Sequence, residues 1–373
     1  MTSRPISREG LAAAALPVVA IAVTVLTIAG ALAASSAAGT LGFDYLAYDA
    51  AARRLLAGER LYDMSFAASG DFGLFYYPPP FILAVLPFAL LPSTAATWAW
   101  IAMLVGAFVV GVALLPVPAR VRWLVILAAG VQWPFLYAIK LGQVGPLLFL
   151  AFAAGWRWLA QPVAIGSAAA IGAAIKVQPV LLVAWAALVG RWRAVAVAIV
   201  AGIGLAVVAT VLAGLGAWFD FLELVRRVSD PITTPKNFTP GAIAYQLGVD
   251  RSAAGLVQVA ATLAVAVVVI VAARRASPDA SFLVAVTASQ LVSPILWEHY
   301  LVLTLLPMAW LLGRGHWWAL AGPVLTSWLL DTPPIGYLAV LVAFFVAPWL
   351  LGGRTSRSSV MPATAPATPV VRG

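Results

Sequence analysis

The chain has 373 residues, of which 63% are hydrophobic and only 9% charged, and its formal net charge is +9. A soluble domain of this composition would expose a large apolar area to water, so the composition excludes a soluble protein and indicates one that lies in lipid. In such a protein the lysines and arginines of short loops report orientation in the membrane, and no nucleic-acid partner is predicted. The absence of cysteine excludes disulfides and thiolate metal sites.

The first predicted element is an apolar helix over residues 11–33, which contain no charged residue. At about 1.5 Å per residue this stretch reaches roughly 34 Å, enough to cross a hydrocarbon core of about 30 Å. The preceding Arg4 and Arg8 and the sequence Ala-Leu-Ala at 31–33 are also compatible with a cleaved signal peptide. Because the apolar regions of such signals are only about 7–15 residues long, we predict a membrane span.

A polar interval follows at residues 42–63, GFDYLAYDAAARRLLAGERLYD, and it concentrates charge in a chain that has little. Its ionised residues are Asp44, Asp49, Arg53, Arg54, Glu59, Arg60 and Asp63. The pattern predicts a short helix over 45–57 along the outer membrane surface, with Tyr45 and Tyr48 at the interface. The charges either keep this loop in water or equip a site, and Asp44, at the start of the helix, either caps it or has a chemical role.

Three consecutive prolines mark the next stretch, FGLFYYPPPFILAVLPFALLP at residues 72–92. Prolines cannot donate a helix hydrogen bond, so positions 78–80 predict an extended or turn-like approach to the membrane. We interpret 78–91 as a short re-entrant or tilted segment broken by Pro87 and Pro92, because a full crossing there would invert the sidedness of the following loops.

Further apolar segments predict a polytopic all-α membrane protein with about 11–13 membrane segments. They lie near 94–115, 122–139, 144–160, 162–175, 178–190, 194–217, 252–273, 280–296, 299–313, 316–330 and 335–351. Arginines occur at every second connection, and by the positive-inside rule these connections and both termini are cytoplasmic. We therefore predict a single membrane domain over 1–351 with large outward loops at 34–77 and 218–250. The Ser/Thr/Pro-rich residues 352–373 predict a disordered cytoplasmic tail.

The predicted outward connections carry most of the polar groups that chemistry could use. They are Lys140 and Gln143 in KLGQVG, Lys176 in IKVQP, Asn237 in KNFTPG, Arg251, and Glu298 and His299 in SPILWEHY. Each has an ordinary alternative: the lysines can reach the interface from a span end, the histidine can be structural, and the amides can cap loops. The Asn-Phe-Thr sequence at 237–239 also matches a glycosylation acceptor. Adjacent residues on a helix point about 100° apart, so Glu298 and His299 do not predict a metal site.

Six motifs in this order resemble glycosyltransferase family 87, the polyprenyl-phosphate-mannose-dependent mannosyltransferases of the GT-C superfamily. They are FDYLAYDAAARRLLAGERLYD, FYYPPPFILAVLPFALLP, LGQVGPLLFL, AAIKVQPVLLVAW, KNFTPGAIAYQLG and LVSPILWEHYLVLTLLP. The resemblance covers about residues 11 to 351. It implies a GT-C type multi-span helical bundle with extracytoplasmic loop helices.

The resemblance further implies an inverting membrane glycosyltransferase of the bacterial cell envelope. Such an enzyme transfers the hexose mannose from a polyprenyl-phosphate donor to a glycolipid or glycan acceptor outside the cytoplasm and forms an α-mannoside. It uses no cofactor, because the lipid-linked sugar phosphate is a substrate. The acid in the first external loop, here Asp44, would be the general base, since a carboxylate can accept the proton of an otherwise poor hydroxyl nucleophile.

The resemblance also assigns roles to the other candidate residues. Cations at the outer membrane edge would stabilise the departing lipid phosphate, and the candidates for this role are Lys176, His299, Lys140 and Arg251. Candidate contacts to the sugar or the acceptor are Tyr45, Tyr77, Gln143, Asn237 and Glu298. The family commonly has a polar residue where this chain has Phe238.

A transporter or flippase of lipid-linked sugars is the alternative function. It would share the many spans and the outward polar loops, but it would place ionisable residues at the bilayer midplane and show internal repeats. The sequence shows neither feature. A non-catalytic scaffold would tolerate the combined loss of Asp44, Lys176 and His299, whereas an enzyme would not.

Overall fold

The computed structural model describes residues 8–65, 74–228 and 230–353. It is 77% helical, and the described residues form no sheet. The α-helices are α1 Arg8–Ala37, α2 Phe43–Leu56, α3 Ile82–Val85, α4 Ser93–Leu114, α5 Ala119–Val131, α6 Trp133–Leu141, α7 Gly145–Arg157, α8 Pro162–Ile175, α9 Leu181–Leu188, α10 Trp192–Ala213, α11 Gly216–Val228, α12 Pro240–Gln246, α13 Arg251–Arg275, α14 Pro278–Leu291, α15 Leu305–Gly313, α16 Ala321–Leu325 and α17 Pro334–Leu351. The predicted all-α polytopic fold is confirmed. Of the predicted tail, 354–373 lie outside the described residues.

Five of the described helices are long and apolar enough to cross a membrane. They are the Ala15–Ala37 part of α1 and the whole of α4, α10, α13 and α17. Large apolar side chains on α1, α10 and α13 are exposed, among them Leu26, Val211 and Leu256. In water such surfaces would be unfavourable, so these faces are the ones that contact lipid tails.

The remaining apolar segments fold as shorter helices because proline and glycine interrupt them. The predicted segment 122–139 is broken at Gln132 into α5 and α6, with Pro134 in the first turn of α6. Helices α6 and α7 together have the length of one span but are bent by 116°, at a turn where Gly142 has a φ of 73°. The 11–13 predicted segments therefore correspond to five or six full-length spans and a set of shorter helices.

The segment after the three prolines is short and broken, as the sequence predicts. It consists of a 3₁₀ turn at Pro79–Phe81, the one-turn helix α3 and a second 3₁₀ turn at Phe88–Leu90. Pro87 precedes the second turn and Pro92 precedes α4, at positions where a proline ring costs no helix hydrogen bond. This segment is too short to cross a membrane.

Helix α2 forms where the sequence predicts the surface helix, but its tyrosines are not at the membrane interface. Tyr45 and Tyr48 are 0% and 1% exposed. The ring of Tyr45 stacks on Trp100 of α4 with centroids 5.2 Å apart, and that of Tyr48 meets Phe81 edge to face at 5.1 Å. The interfacial prediction is wrong for these two residues because the segment 75–81 and α4 cover this face of α2.

Two charged residues of the polar interval, Asp49 and Arg53, hold α2 against the beginning of α4. The Nε of Arg53 donates to Asp49 Oδ2 over 2.9 Å, and the hydroxyl of Ser93 donates to the same oxygen over 3.0 Å. Arg53 Nη2 also donates to the carbonyl of Leu91 over 2.7 Å. Since Asp49 is only 3% exposed, these bonds compensate a carboxylate that would otherwise be costly to bury. They fix the position of the helix that begins beside Asp44.

Candidate active site

Four breaks in the helical fold converge at one end of the bundle. They are the beginning of α2, the bend between α6 and α7, the connection between α8 and α9, and residues 292–304 before α15. The backbone N–H of Gly42 donates to the carbonyl of Lys140 over 2.8 Å, which joins the first two breaks. Gln178 Nε2 donates to Ser293 Oγ over 3.1 Å, which joins the last two. The polar groups that would interrupt a regular span are thereby gathered in one place.

Two glycines permit this convergence. Gly42 has a φ of 72° and Gly142 a φ of 73°, in the left-handed region that favours glycine. A Cβ at Gly142 would lie 2.6 Å from the Cβ of Tyr45, and one at Gly42 would lie 2.6 Å from Thr97 Cγ2. Backbone conformation and close packing therefore both require glycine where α2 meets the α6–α7 bend.

Asp44 is half-buried in the first turn of α2 and lies at the end of a chain of hydrogen bonds whose other members are buried. Its Oδ2 accepts from Gln143 Nε2 over 2.7 Å, and Gln143 Oε1 accepts from the Tyr77 hydroxyl over 2.9 Å. The Tyr77 oxygen in turn accepts from the Tyr48 hydroxyl over 2.6 Å. The N-cap residue of α2 is Gly42, so the capping alternative for Asp44 is not observed. Within the described ranges, Asp44 Oδ1 accepts no hydrogen bond.

Burial gives the Asp44 carboxylate the properties of a base. Loss of hydration raises its pKa from 3.8 to about 6, against the opposing effects of the Gln143 hydrogen bond and the positive charge of Lys176. The group is therefore mostly ionised at neutral pH and yet binds a proton more strongly than an exposed aspartate. A general base is most effective when its pKa lies near the working pH.

Lys176 and His299 lie together on one side of the site. The Lys176 ammonium lies 3.6 Å from the centroid of the Tyr300 ring and within electrostatic range of both Asp44 and His299. His299 is 3% exposed, and neither ring nitrogen has a hydrogen-bond partner among the residues that the structure describes. Because buried polar groups are nearly always paired, an unpaired imidazole beside a lysine indicates a ligand site.

Lys140 and Glu298 lie together beside two aromatic rings of α6. The Lys140 ammonium is 5.5 Å from the Trp133 ring and 5.3 Å from the Tyr137 ring, and Trp133 Nε1 donates to Glu298 Oε2 over 2.8 Å. The Tyr137 phenol interacts electrostatically with both Glu298 and Asp44, so this group lies near the Asp44 carboxylate. Lys140 and Glu298 are therefore placed to contact a substrate that reaches Asp44.

Asn237 is a structural residue in this arrangement and not a substrate contact. It is 0% exposed. Its Nδ2 donates to the carbonyls of Pro231 and Pro294, and its Oδ1 accepts from the N–H groups of Thr239 and Leu296. These bonds use the full capacity of the side-chain amide and fasten the loop before α12 to the segment that carries His299. The same burial argues against glycosylation of Asn237.

Two further predicted contacts are not placed at the site. Arg251, at the beginning of α13, forms an ion pair with Asp230 at 3.1 Å. Tyr45 packs against Trp100 with its hydroxyl buried, so its ring supports α2. Tyr48, Tyr137 and Tyr300 lie beside the candidate residues, and the sequence did not indicate them as part of the site. A helical spacing of four residues from Asp44 points to Tyr48, whereas no local pattern identifies Tyr137.

Comparison with known proteins gives a match to a protein family. The model of glycosyltransferase family 87 matches residues 75–294, more than half of the chain. No curated protein and no solved structure matches the chain. The matched range includes Tyr77, Gln143 and Lys176, whereas Asp44 precedes it and His299 follows it.

Proposed function

The chain belongs to glycosyltransferase family 87 and is a membrane glycosyltransferase, and from this premise we propose its substrates and mechanism. The donor is a polyprenyl-phosphate hexose in which the hexose is mannose. The acceptor is a hydroxyl of a glycolipid or glycan on the extracytoplasmic face. The product is an α-mannoside formed with inversion. The observation that carries this proposal is a recessed carboxylate, Asp44, within range of Lys176: Gln143 holds one of its oxygens, and the other has no hydrogen bond from any residue that the structure describes.

The proposed reaction is a single displacement. The acceptor oxygen attacks the anomeric carbon while its proton passes to Asp44 Oδ1, and the bond from the anomeric carbon to the phosphate oxygen breaks. The leaving group is the polyprenyl phosphate, which takes the bonding electron pair. One base suffices, because inversion requires no covalent intermediate on a second carboxylate. Asp44 later releases its proton to solvent.

The donor phosphate is proposed to lie against Lys176 and His299. The lysine supplies a positive charge, and the neutral imidazole can donate one N–H to a phosphate oxygen, which would satisfy a nitrogen that has no partner in the described part of the chain. Such contacts are stronger in a water-poor site than in bulk solvent. Lys140 and Glu298 then remain for hydroxyl groups of the sugars.

The direct test of this proposal is sugar transfer by the purified protein in membranes. We expect radiolabel from polyprenyl-phosphate mannose to appear in at least one member of a panel of glycolipid acceptors, and the linkage to have α configuration. Movement of intact donor across the bilayer without any labelled product would instead favour the flippase alternative. Transfer from another polyprenyl-phosphate hexose, with none from the mannose donor, would contradict the proposed sugar.

The proposed orientation places both termini in the cytoplasm and Asp44 outside, and thiol labelling tests it. The natural chain has no cysteine, so single cysteines can be introduced at exposed positions. We expect Glu59→Cys and Asp331→Cys to react with an impermeant reagent in intact cells, because both residues are exposed on the side of the bundle where the site lies. Arg120→Cys and Arg274→Cys should react only after lysis, and labelling of either from outside would reverse the orientation.

A further inference from the structure

We infer that Gln143 is a positioning residue for the base: it holds one oxygen of Asp44 so that the other is presented to the acceptor hydroxyl. This inference rests on the proposed function and gives Gln143 a role different from the substrate contact that the sequence indicated. Tyr77 and Tyr48 extend the role, because they determine which end of the Gln143 amide faces Asp44.

The hydrogen-bond chain has only one consistent direction. A carboxylate oxygen can only accept, so the amide group of Gln143 that faces Asp44 must be the donor Nε2. Its other end, Oε1, then requires a donor, which is the Tyr77 hydroxyl. Because the Tyr77 hydroxyl donates its hydrogen bond to Gln143, its oxygen can accept a hydrogen bond from the Tyr48 hydroxyl. Each group fixes the next, so the amide cannot rotate without losing two hydrogen bonds.

The chain is anchored in rigid surroundings. Gln143 is 5% exposed and lies in the bend after α6, where its backbone N–H donates to the carbonyl of Ala138. The centroid of the Tyr77 ring lies 4.5 Å from that of Phe81 and 4.8 Å from that of Tyr48. The Tyr62 hydroxyl donates to the backbone carbonyl of Tyr77 over 2.6 Å. Side chains locked by packing and by further hydrogen bonds can hold a catalytic group within a fraction of an ångström.

The hydrogen bond to Asp44 also affects when the base is ionised. The groups that face its carboxylate are Lys176 from the α8–α9 connection, Tyr137 on α6, Tyr48 on α2, and Tyr77. Among these groups Lys176 supplies positive charge, and together with the Gln143 hydrogen bond it favours the ionised form of Asp44. Loss of the Gln143 bond therefore shifts protonation of Asp44 to higher pH.

The first test is the pH dependence of transfer by Gln143→Met, which removes the amide and keeps the side-chain length. We expect kcat to fall by about 10- to 100-fold, the range between a lost hydrogen bond and a lost base, without a comparable change in KM for donor or acceptor. The acid limb of the kcat/KM profile should move up by about one pH unit, the equivalent of one charge-assisted hydrogen bond. Tyr77→Phe should shift it in the same direction by less.

Two further variants make this test specific. Thr287→Val removes a buried side-chain hydrogen bond, from Thr287 Oγ1 to the Leu283 carbonyl within α14, that is not part of the chain to Asp44, so its acid limb should stay in place. Gln143→Glu keeps an acceptor for Tyr77 but sets a second carboxylate beside Asp44, so its limb should move up further than that of Gln143→Met. An unmoved limb in both Gln143 variants, or a rise in KM alone, would overturn the positioning role.

A second readout needs no substrate and separates this inference from the proposed function. In the folded protein the pKa of Asp44 is raised from 3.8 to about 6; the neutral carboxyl therefore stabilises the fold at low pH, and this advantage is lost as pH rises through about 6. The melting temperature of Asp44→Asn relative to that of the natural protein should accordingly rise as the pH increases from 3.8 to about 6. In the Gln143→Met background the same rise should occur at higher pH. An unchanged midpoint would contradict the inference even if transfer depends on Asp44.

Discussion

Asp44→Asn should fold, insert and bind donor normally but transfer sugar about 10²- to 10⁴-fold more slowly, the loss expected when a general base is removed. The asparagine keeps the size of the side chain, and its amide cannot take the acceptor proton. The structure removes the capping explanation for a defect, because Gly42 occupies the cap position and the Asp44 side chain bonds to Gln143. Initial rates with saturating donor and acceptor measure the effect.

The choice of control for Asp44→Asn follows from the structure. Asp63→Asn is suitable, because Asp63 belongs to the same loop and accepts a local hydrogen bond from the N–H of Ser65. Asp49→Asn is a poorer control, since Asp49 is buried and fastens α2 through Arg53 and Ser93. Retention of more than about a tenth of the activity by Asp44→Asn would be well short of a general-base effect and would contradict the assignment, and Asp49 would then be the next acid to test.

Lys176→Met should weaken use of the donor by about 10- to 100-fold in kcat/KM, and His299→Ala should have an effect of similar order. Each substitution removes one hydrogen bond to a charged phosphate, worth about 1.5–3 kcal/mol. Expression and insertion should stay near normal, because the His299 ring nitrogens have no hydrogen bond within the described part of the protein and Lys176 contacts the face of Tyr300. Steady-state kinetics at varied donor concentration provide the measurement.

Comparison with Lys140→Met makes the donor prediction sharper. The Lys140 ammonium lies over Trp133 and Tyr137 beside Glu298, so its loss should affect the acceptor more than the donor. If donor kinetics are unchanged in both Lys176→Met and His299→Ala, these two residues have a structural role. If only Lys140→Met has a defect in donor use, the donor phosphate binds at the α6–α7 bend and not beside Lys176 and His299.

The parts of the fold that the sequence predicted are those that local chemistry determines. Charge and hydropathy identified the membrane class, and the prolines at 78–80 and Pro87 identified a segment that cannot form a span. The charged interval with apolar positions identified α2, and its first acid proved to be the recessed carboxylate. Each of these features depends on residues that are neighbours in the chain.

The features that the sequence did not predict depend on partners that are distant in the chain. Asn237 resembles a free polar group in its loop, but its partners include backbone atoms of Pro294 and Leu296, about 60 positions later. Tyr45 and Tyr48 resemble interfacial residues until Trp100 and the segment 75–81 cover them. The apolar run 122–139, which resembles a single span, divides at Gln132 into α5 and α6, where the tertiary structure stabilises the break.

The two glycines that join α2 to the α6–α7 bend limit which sequences can carry this site. A side chain at Gly142 would collide with Tyr45, and one at Gly42 would collide with Thr97, so either would push the helix of the base away from the amide that orients it. The chemistry thus depends on two residues that have no reactive group. In a mutational scan these positions would tolerate as little change as Asp44 itself, although neither could be found by searching for acids, bases or cations.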